Sequence, residues 1–360
     1  MVERTLSSLR EHVPLAPYTT LGLGGEARYF VECASEDQVR AALTAAVERR
    51  LPVYILGGGS NVVFADAGFP GLVLRVTIDG LAYRDGSRPE VTAGAGVEWD
   101  TLVAGVVERG WTGIECLSGI PGTVGGTPIQ NVGAYGQEIA ETLVRVSCLD
   151  RTTLERRTFT AAECAFGYRD SRFKRGDRGR YVVLDVTLRL ARDRAPRIRY
   201  AELRDAVARH SSLEAMPPAD GVRLARQTVL ALRRGKSMVL DPSDPNTRSV
   251  GSFFTNPVLS PVAFAALEAH WRAREQGQPS QIPTFAADGG VKVPAAWLVE
   301  RAGFPKGYRR GGVGISSRHS LALVNFGGTS AELLALAESV RAGVEARFGV
   351  RLEFEPEAVA

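Results

Sequence analysis

The residues best placed to do chemistry in this chain are glycines. Gly57-Gly58-Gly59-Ser60-Asn61 directly follows the short apolar run Val53–Leu56. Consecutive glycines let the main chain approach a ligand closely, and successive N–H groups turned inward form an anion-binding nest. Ser60 and Asn61 add a hydroxyl and an amide. A second run, Leu117-Ser118-Gly119-Ile120-Pro121-Gly122-Thr123-Val124-Gly125-Gly126, offers more amides and two hydroxyls, and Gln130-Asn131-Val132-Gly133-Ala134-Tyr135-Gly136 continues it. Such loops suit a diphosphate without a P-loop lysine. Two other runs fail their templates. Gly22-Leu23-Gly24-Gly25-Glu26-Ala27 has the G-x-G-x-x-A form, but strand-like Arg28–Val31 follows it where a Rossmann fingerprint needs a helix. Gly235-Lys236-Ser237 ends like a P-loop, yet Leu230 stands where the first glycine belongs. Two separated glycine loops without a Rossmann helix point to a non-Rossmann dinucleotide site, with FAD the leading candidate.

These loops need elements to hold them. Ser35-Glu36-Asp37-Gln38 has capping-box form and predicts a helix running to Arg49. Strands are predicted at Val53–Leu56, Leu72–Val76, Val91–Ala93 and Tyr181–Leu190, and a short helix over Leu102–Val107 ends at Gly110. Residues 113–136 hold seven glycines and two prolines, which excludes regular helix or central strand and predicts a long functional loop system. The composition shifts at Ala191–Arg197, which is charged and contains Pro196; segments 214–222 and 240–249 read as linkers, and 275–290 is polar with Gly and Pro. Thr329-Ser330-Ala331-Glu332 opens a second capped helix, running to about Arg347 and closed by Gly349. Val350–Glu355 alternates like a strand.

Composition narrows the class. The 360 residues include 44 Lys+Arg and 40 Asp+Glu, a net charge of +4, too small for an electrostatic nucleic-acid binder. Only four lysines occur, and the 40 arginines are scattered, which reads as compositional bias. A hydrophobic content of 44% is ordinary for globular domains, and the length suggests two or three. No run of ~18 apolar residues is present, and the charged N-terminus is not a signal peptide. Four cysteines and four histidines are dispersed, so neither a disulfide framework nor a metal site is expected. The expectation is a cytoplasmic protein, a monomer, with no membrane or nucleic-acid partner.

Several motifs together resemble a known family. Ile55–Asn61, Ile120-Pro121-Gly122-Thr123-Val124-Gly125-Gly126, Ile129–Gly136, Phe166-Gly167-Tyr168-Arg169-Asp170-Ser171 and Gly251-Ser252-Phe253-Phe254-Thr255-Asn256-Pro257 occur in the order found in UDP-N-acetylenolpyruvoylglucosamine reductases. The first is weak alone; the later ones in this order are specific. Arg199-Tyr200-Ala201-Glu202-Leu203 resembles the tyrosine loop of the type I branch. The resemblance implies an α+β protein: a vanillyl-alcohol-oxidase-type (PCMH-like) FAD-binding fold plus a smaller α/β substrate domain. The implied division is 1–80 (completed by 338–360) and 81–236 for FAD, and 237–337 for the UDP-sugar. The implied reaction uses NADPH to reduce non-covalent FAD, which then reduces the enolpyruvyl group of a UDP-sugar to UDP-N-acetylmuramate.

The resemblance also implies roles for residues. Gly57, Gly58, Gly59, Ser60, Asn61, Ser118, Gly119, Ile120, Pro121, Gly122, Thr123, Gly125, Gly126 and Gly133 would hold FAD. Arg169 would stabilise the substrate carboxylate as it takes up electrons, where a preorganised donor is worth on the order of 3–4 kcal/mol. Read without the family, Arg169 is better taken as a structural ion-pair partner of Asp170 or another acid. Ser252 would protonate the neighbouring carbon. The family's Leu-Glu-Pro-Glu form matches Phe354-Glu355-Pro356-Glu357 and selects Glu357 as the third catalytic group, with Glu355 its competitor. Were the strand pattern to continue, Glu353, Glu355 and Glu357 would share a face. Tyr200, Lys236, Asn256 and, more weakly, Tyr135 would contact the UDP-sugar. The competing readings are an FAD-dependent oxidase of the same fold, which leaves Gly251–Pro257 unexplained, and a non-catalytic nucleotide-sugar binder.

Overall fold

The computed structural model describes residues 9–274, 281–287 and 289–360, and their contacts group into two units. The first comprises the described residues up to Pro14, Glu26–Gly59 and Gly68–Leu240; the second comprises Leu15–Gly25, Ser60–Ala67 and Asp241–Ala360. This grouping is coarser than the expected three-part division, and it puts 338–360 with 241–337.

In the first unit, strands Arg10–Pro14, Glu26–Cys33, Phe69–Val76 and Val53–Leu56 form one sheet in that order, the first pair antiparallel and the others parallel. Helix α1 (Glu36–Glu48) packs Val39, Ala42, Leu43 and Ala46 into the core with Val31, Leu72 and Leu74. Ser35 accepts from the Gln38 amide at 3.3 Å, and the Gln38 side chain accepts from the Ala34 amide at 2.7 Å, so the return bond of the capping box goes one residue further back. Strands Arg156–Thr160, Leu143–Asp150, Tyr181–Arg189, Glu90–Gly94 and Leu81–Arg84 make a second, antiparallel sheet. Tyr181–Arg189 is buried on both faces, which is why its alternation is only partial in sequence.

Helix α2 (Trp99–Glu108) stops before Gly110, whose φ of +68° is the left-handed value glycine supplies. Between it and Leu143, among the described residues, regular structure is confined to 3₁₀ turns and two-residue strands, as the glycine content requires. Helices α3 (Ala201–Ala208) and α4 (Pro218–Gly235) complete the unit. Residues 218–222 are therefore the start of a helix and not part of a linker. Pro218 sits in the first helical turn, where a missing N–H costs nothing and its fixed φ suits the helix.

In the second unit, antiparallel strands Ser249–Ser252, Ala322–Asn325, Val313–Ile315 and Arg309–Arg310 form a sheet. A small sheet joins Val258–Leu259, Gly290–Lys292 and Phe285–Ala287. Much of 275–290 lies outside the described residues. Helices α5 (Pro261–Arg274), α6 (Ala295–Arg301) and α7 (Ser330–Phe348) flank the sheets. The Thr329/Glu332 capping box is formed in both directions, and Gly349 closes α7 at φ +66°. Leu333, Leu336, Val340 and Val344 of α7 pack with Val313, Ile315 and Leu323, which is why 338–360 groups with this unit.

The C-terminal strand is displaced from its expected position. Val350–Glu355 contributes only an isolated bridge, Phe354 against Phe254, and the strand is Glu357–Val359, parallel to Val62–Phe64. Pro356 cannot donate a ladder hydrogen bond, so it divides two pairings where the alternation suggested one.

Candidate functional site

Two glycine loops of the first unit meet backbone to backbone. A Cβ on Gly58 would lie 2.6 Å from the Gly122 Cα, and one on Gly57 would lie 2.8 Å from the Thr123 Oγ1. The second loop is held from behind by the Trp99 amide to the Gly122 carbonyl, and by the Val124 and Gly125 amides to the Val97 and Ala95 carbonyls, each 2.9 Å. Trp99 Nε1 donates to the Leu117 carbonyl at 3.0 Å. The Thr123 hydroxyl is buried and makes no hydrogen bond to another described group. A buried hydroxyl without a partner is costly unless a ligand meets it. Open space surrounds the Cβ position of Gly126. A main-chain cradle with an unanswered hydroxyl fits the diphosphate of a dinucleotide such as FAD. The Ser118 hydroxyl is buried and donates its proton to the Glu115 carbonyl at 2.7 Å.

Ser60 and Asn61, next along the chain, belong to the second unit. Gly133 lies further along the loop system of the first unit, where its carbonyl accepts from Arg169 Nη2 at 2.6 Å. The Phe166–Ser171 turn is fastened to that loop at two more points. Asn131 Nδ2 donates to the Gly167 carbonyl at 3.0 Å and to Glu138 at 2.7 Å, and Ser171 Oγ donates to the Ile129 carbonyl at 2.6 Å. Asn131, Tyr135 and Arg169 all have left-handed φ, at 48°, 49° and 53°. Non-glycine residues held there store strain, which concentrates at functional sites. Asp170 pairs with Arg175 at 2.9 Å and accepts from the Ser171 amide.

Tyr135, Tyr200 and Lys236 come together in the same unit. The two rings meet edge to face at 5.6 Å, and Lys236 Nζ lies 5.9 Å from the Tyr135 ring centre. Lys236 also pairs with Glu202 at 2.6 Å. Burial pushes the Tyr135 hydroxyl up to about 12, so it stays a proton donor at neutral pH. Arg233 is buried beside it; its Nη2 donates to the Met238 carbonyl at 2.7 Å, while its Nε has no described partner.

The remaining expected residues lie in the second unit. Ser252 ends its strand opposite Ala322, after Gly251 at φ +76°. Phe253 and Phe254 are buried and stack with Phe354 at centroid distances of 5.3 and 5.6 Å. Asn256 Oδ1 accepts the Ala295 amide at the start of α6 at 2.9 Å. Glu355 donates its amide to the Phe253 carbonyl at 2.9 Å, and its carbonyl accepts from Asn61 Nδ2 at 3.3 Å. Glu357 donates its amide to the Asn61 carbonyl at 3.1 Å, and its side chain is exposed. Glu353, Glu355 and Glu357 therefore do not lie along one continuous strand. Asn131, Asp100, Arg226 and Arg233 were not singled out from sequence. Asn131 lies within Ile129–Gly136, and no local signal in the sequence sets Arg226 and Arg233 apart from the other scattered arginines.

Known proteins extend this picture. Residues 27–154 match the FAD binding domain family, and residues 242–359 match the C-terminal domain family of UDP-N-acetylenolpyruvoylglucosamine reductase. The UDP-N-acetylenolpyruvoylglucosamine reductase of Thermobifida fusca is 51% identical over 97% of this chain and 98% of its own length. That of Streptomyces avermitilis is 47% identical over 99% and 97%. The crystal structure of the Thermus caldophilus reductase is similar at a TM-score of 0.66 and 25% identity, covering 98% of this chain and all of that one. Among the described residues, no helix is long and apolar enough to cross a membrane. The α+β fold with its FAD-binding domain and the near full-length identity agree, and the chain belongs to the UDP-N-acetylenolpyruvoylglucosamine reductase family.

Proposed function

We propose that this chain reduces the enolpyruvyl group of UDP-N-acetyl-3-O-(1-carboxyvinyl)-glucosamine to give UDP-N-acetylmuramate, a step of peptidoglycan precursor synthesis. The observation that carries this reading is the main-chain cradle of Gly57, Gly58, Gly122 and Thr123, in a chain 51% identical to such a reductase. The cradle and the Gly119–Gly126 amides would hold FAD, which when bound would pass on the reducing equivalents of NADPH. The substrate's enol ether is electron-rich, so it is reduced only if its carboxylate takes up the electron density that is displaced. Arg169 stabilises that charge: its planar guanidinium fork matches a carboxylate, and its loop is already fixed at Gly133, Asn131 and Ser171.

Ser252 gives its hydroxyl proton to the carbon bearing the carboxylate, completing the single bond. Glu357 holds a hydrogen bond at the same carboxylate. Tyr200 and Lys236 take the diphosphate, with Lys236 exchanging Glu202 for phosphate oxygens, and Asn256 and Tyr135 contact the sugar nucleotide. The domain roles of the same reading are FAD binding by 1–80, completed by 338–360, and by 81–236, and UDP-sugar binding by 237–337. A monomer in the cytoplasm belongs to the same reading; for the compartment, four buried free thiols suit a reducing one. Anaerobic stopped-flow tests the proposal. Flavin absorbance should bleach with NADPH and return on mixing with the UDP-enolpyruvyl sugar. Bleaching without return would mean another substrate.

A further inference from the structure

Helix α4 touches both halves of the first unit's site through one stripe of side chains. Arg226, Leu230 and Arg233 stand at i, i+4 and i+7, one face of a helix. Arg226 grips Asp100 of α2 with both guanidinium nitrogens, Nη1 to Oδ1 at 2.6 Å and Nη2 to Oδ2 at 2.8 Å. The same Asp100 Oδ1 accepts the Gly119 amide at 2.6 Å, so one carboxylate oxygen joins the helix to the start of the flavin loop. Leu230 packs at that point: a Cβ on Gly119, whose φ is +71°, would lie 2.8 Å from the Leu230 Cδ2 and 3.6 Å from the Arg233 Nε. Lys236 caps the C-terminal end of α4, its amide donating to the Arg233 carbonyl at 3.1 Å. Arg226 and Lys236 are thus about 15 Å apart along one helix, at ~1.5 Å per residue.

We infer that Asp100 and Arg226 are positioning residues that lock the Gly119–Gly126 loop to the helix carrying Lys236, so that FAD and the diphosphate of the UDP-sugar bind with positive coupling. This rests on the proposed role of Lys236. A charge-assisted bidentate pair is geometrically strict where a single contact would slip, so the loop position that FAD favours also sets the position of α4 and of Lys236 at its end. Linkage requires the reverse effect to be equal: a diphosphate at Lys236 tightens FAD by the same factor.

The test is calorimetric titration of UDP into flavin-loaded and deflavinated protein. Wild type should bind UDP at least about fivefold tighter when loaded, the lower range for coupled sites. In Arg226→Met and Arg226→Lys, shown folded by circular dichroism, that ratio should fall below about twofold, because Lys keeps the charge but not the fork. Lys236→Met should lose UDP in both forms and keep its FAD affinity. A wild-type ratio of one, or a fivefold ratio persisting in folded Arg226→Met, overturns the inference and leaves the reductase reading intact. Failure of every form to bind UDP would instead remove the assignment of Lys236 on which the coupling rests.

Discussion

Gly58→Ala should cost the protein its flavin while sparing its fold. Gly58 has no left-handed φ to lose, so the effect of the methyl is purely one of space. The new Cβ would lie 2.6 Å from the Gly122 Cα, 3.0 Å from its carbonyl carbon and 3.1 Å from the Thr123 nitrogen. All three are backbone atoms and cannot rotate away as a side chain would. Relief requires the two loops to part by close to 1 Å, since ordinary carbon contacts begin at about 3.5 Å. Overpacking of this kind costs about 1–3 kcal/mol. The distortion falls on the two loops proposed to face the diphosphate, so the upper figure is taken, and 3 kcal/mol corresponds to about a hundredfold in Kd. The assay is fluorescence titration of deflavinated protein with FAD, with Tm recorded in parallel. Gly126→Ala is the matched control: its Cβ would meet no protein atom within 4 Å, so its Tm should equal wild type. A folded Gly58→Ala that holds FAD within threefold of wild type would refute the cradle.

Ser252→Ala should leave reduction of the flavin by NADPH nearly intact and block reoxidation by the UDP-sugar, since the hydroxyl acts only as the new carbon–hydrogen bond forms; equal losses in both half-reactions would make Ser252 structural. Glu357→Gln should lower turnover by at least ~100-fold with flavin retained, and Glu355→Gln only slightly; the opposite result moves the role to Glu355, whose backbone is tied between Phe253 and Asn61. Asp150→Asn should destabilise the protein by about 1–3 kcal/mol at pH 7. Burial alone would raise the Asp150 carboxyl, but hydrogen bonds from the Thr152 amide and Arg180 outweigh it and hold the carboxyl below its ordinary value. A lowered folded-state value gives stability that is present above the unfolded carboxylate range near pH 4 and is lost as pH falls through the folded value. The difference in Tm between wild type and Asp150→Asn should therefore shrink below pH 4, and a constant difference would show that the charge is not its source.

Much of this protein is decided within a few residues of chain. Ser35 and Thr329 cap their helices with side chains three residues from their partners, and Gly110 and Gly349 end theirs through their own φ. The loop over 113–136 follows from glycine and proline content alone. The ordered run of motifs from Ile55 to Pro257 identifies the family, because each requires particular residue types at neighbouring positions. Local pattern fails where a partner is distant. The segment 214–222 reads as a linker until α4 is seen to start at Pro218, and 350–355 reads as a strand until Val62–Phe64 is seen to pair beyond Pro356. Only the tertiary structure joins Asp100 to Arg226, 126 positions away, or leaves the Thr123 hydroxyl buried with no described partner. It likewise settles that Asp170 pairs with Arg175, and that Arg169 reaches the Gly133 carbonyl. A charged side chain selects its partner by proximity and desolvation in the folded state, and the spacing of residues along the chain does not encode these.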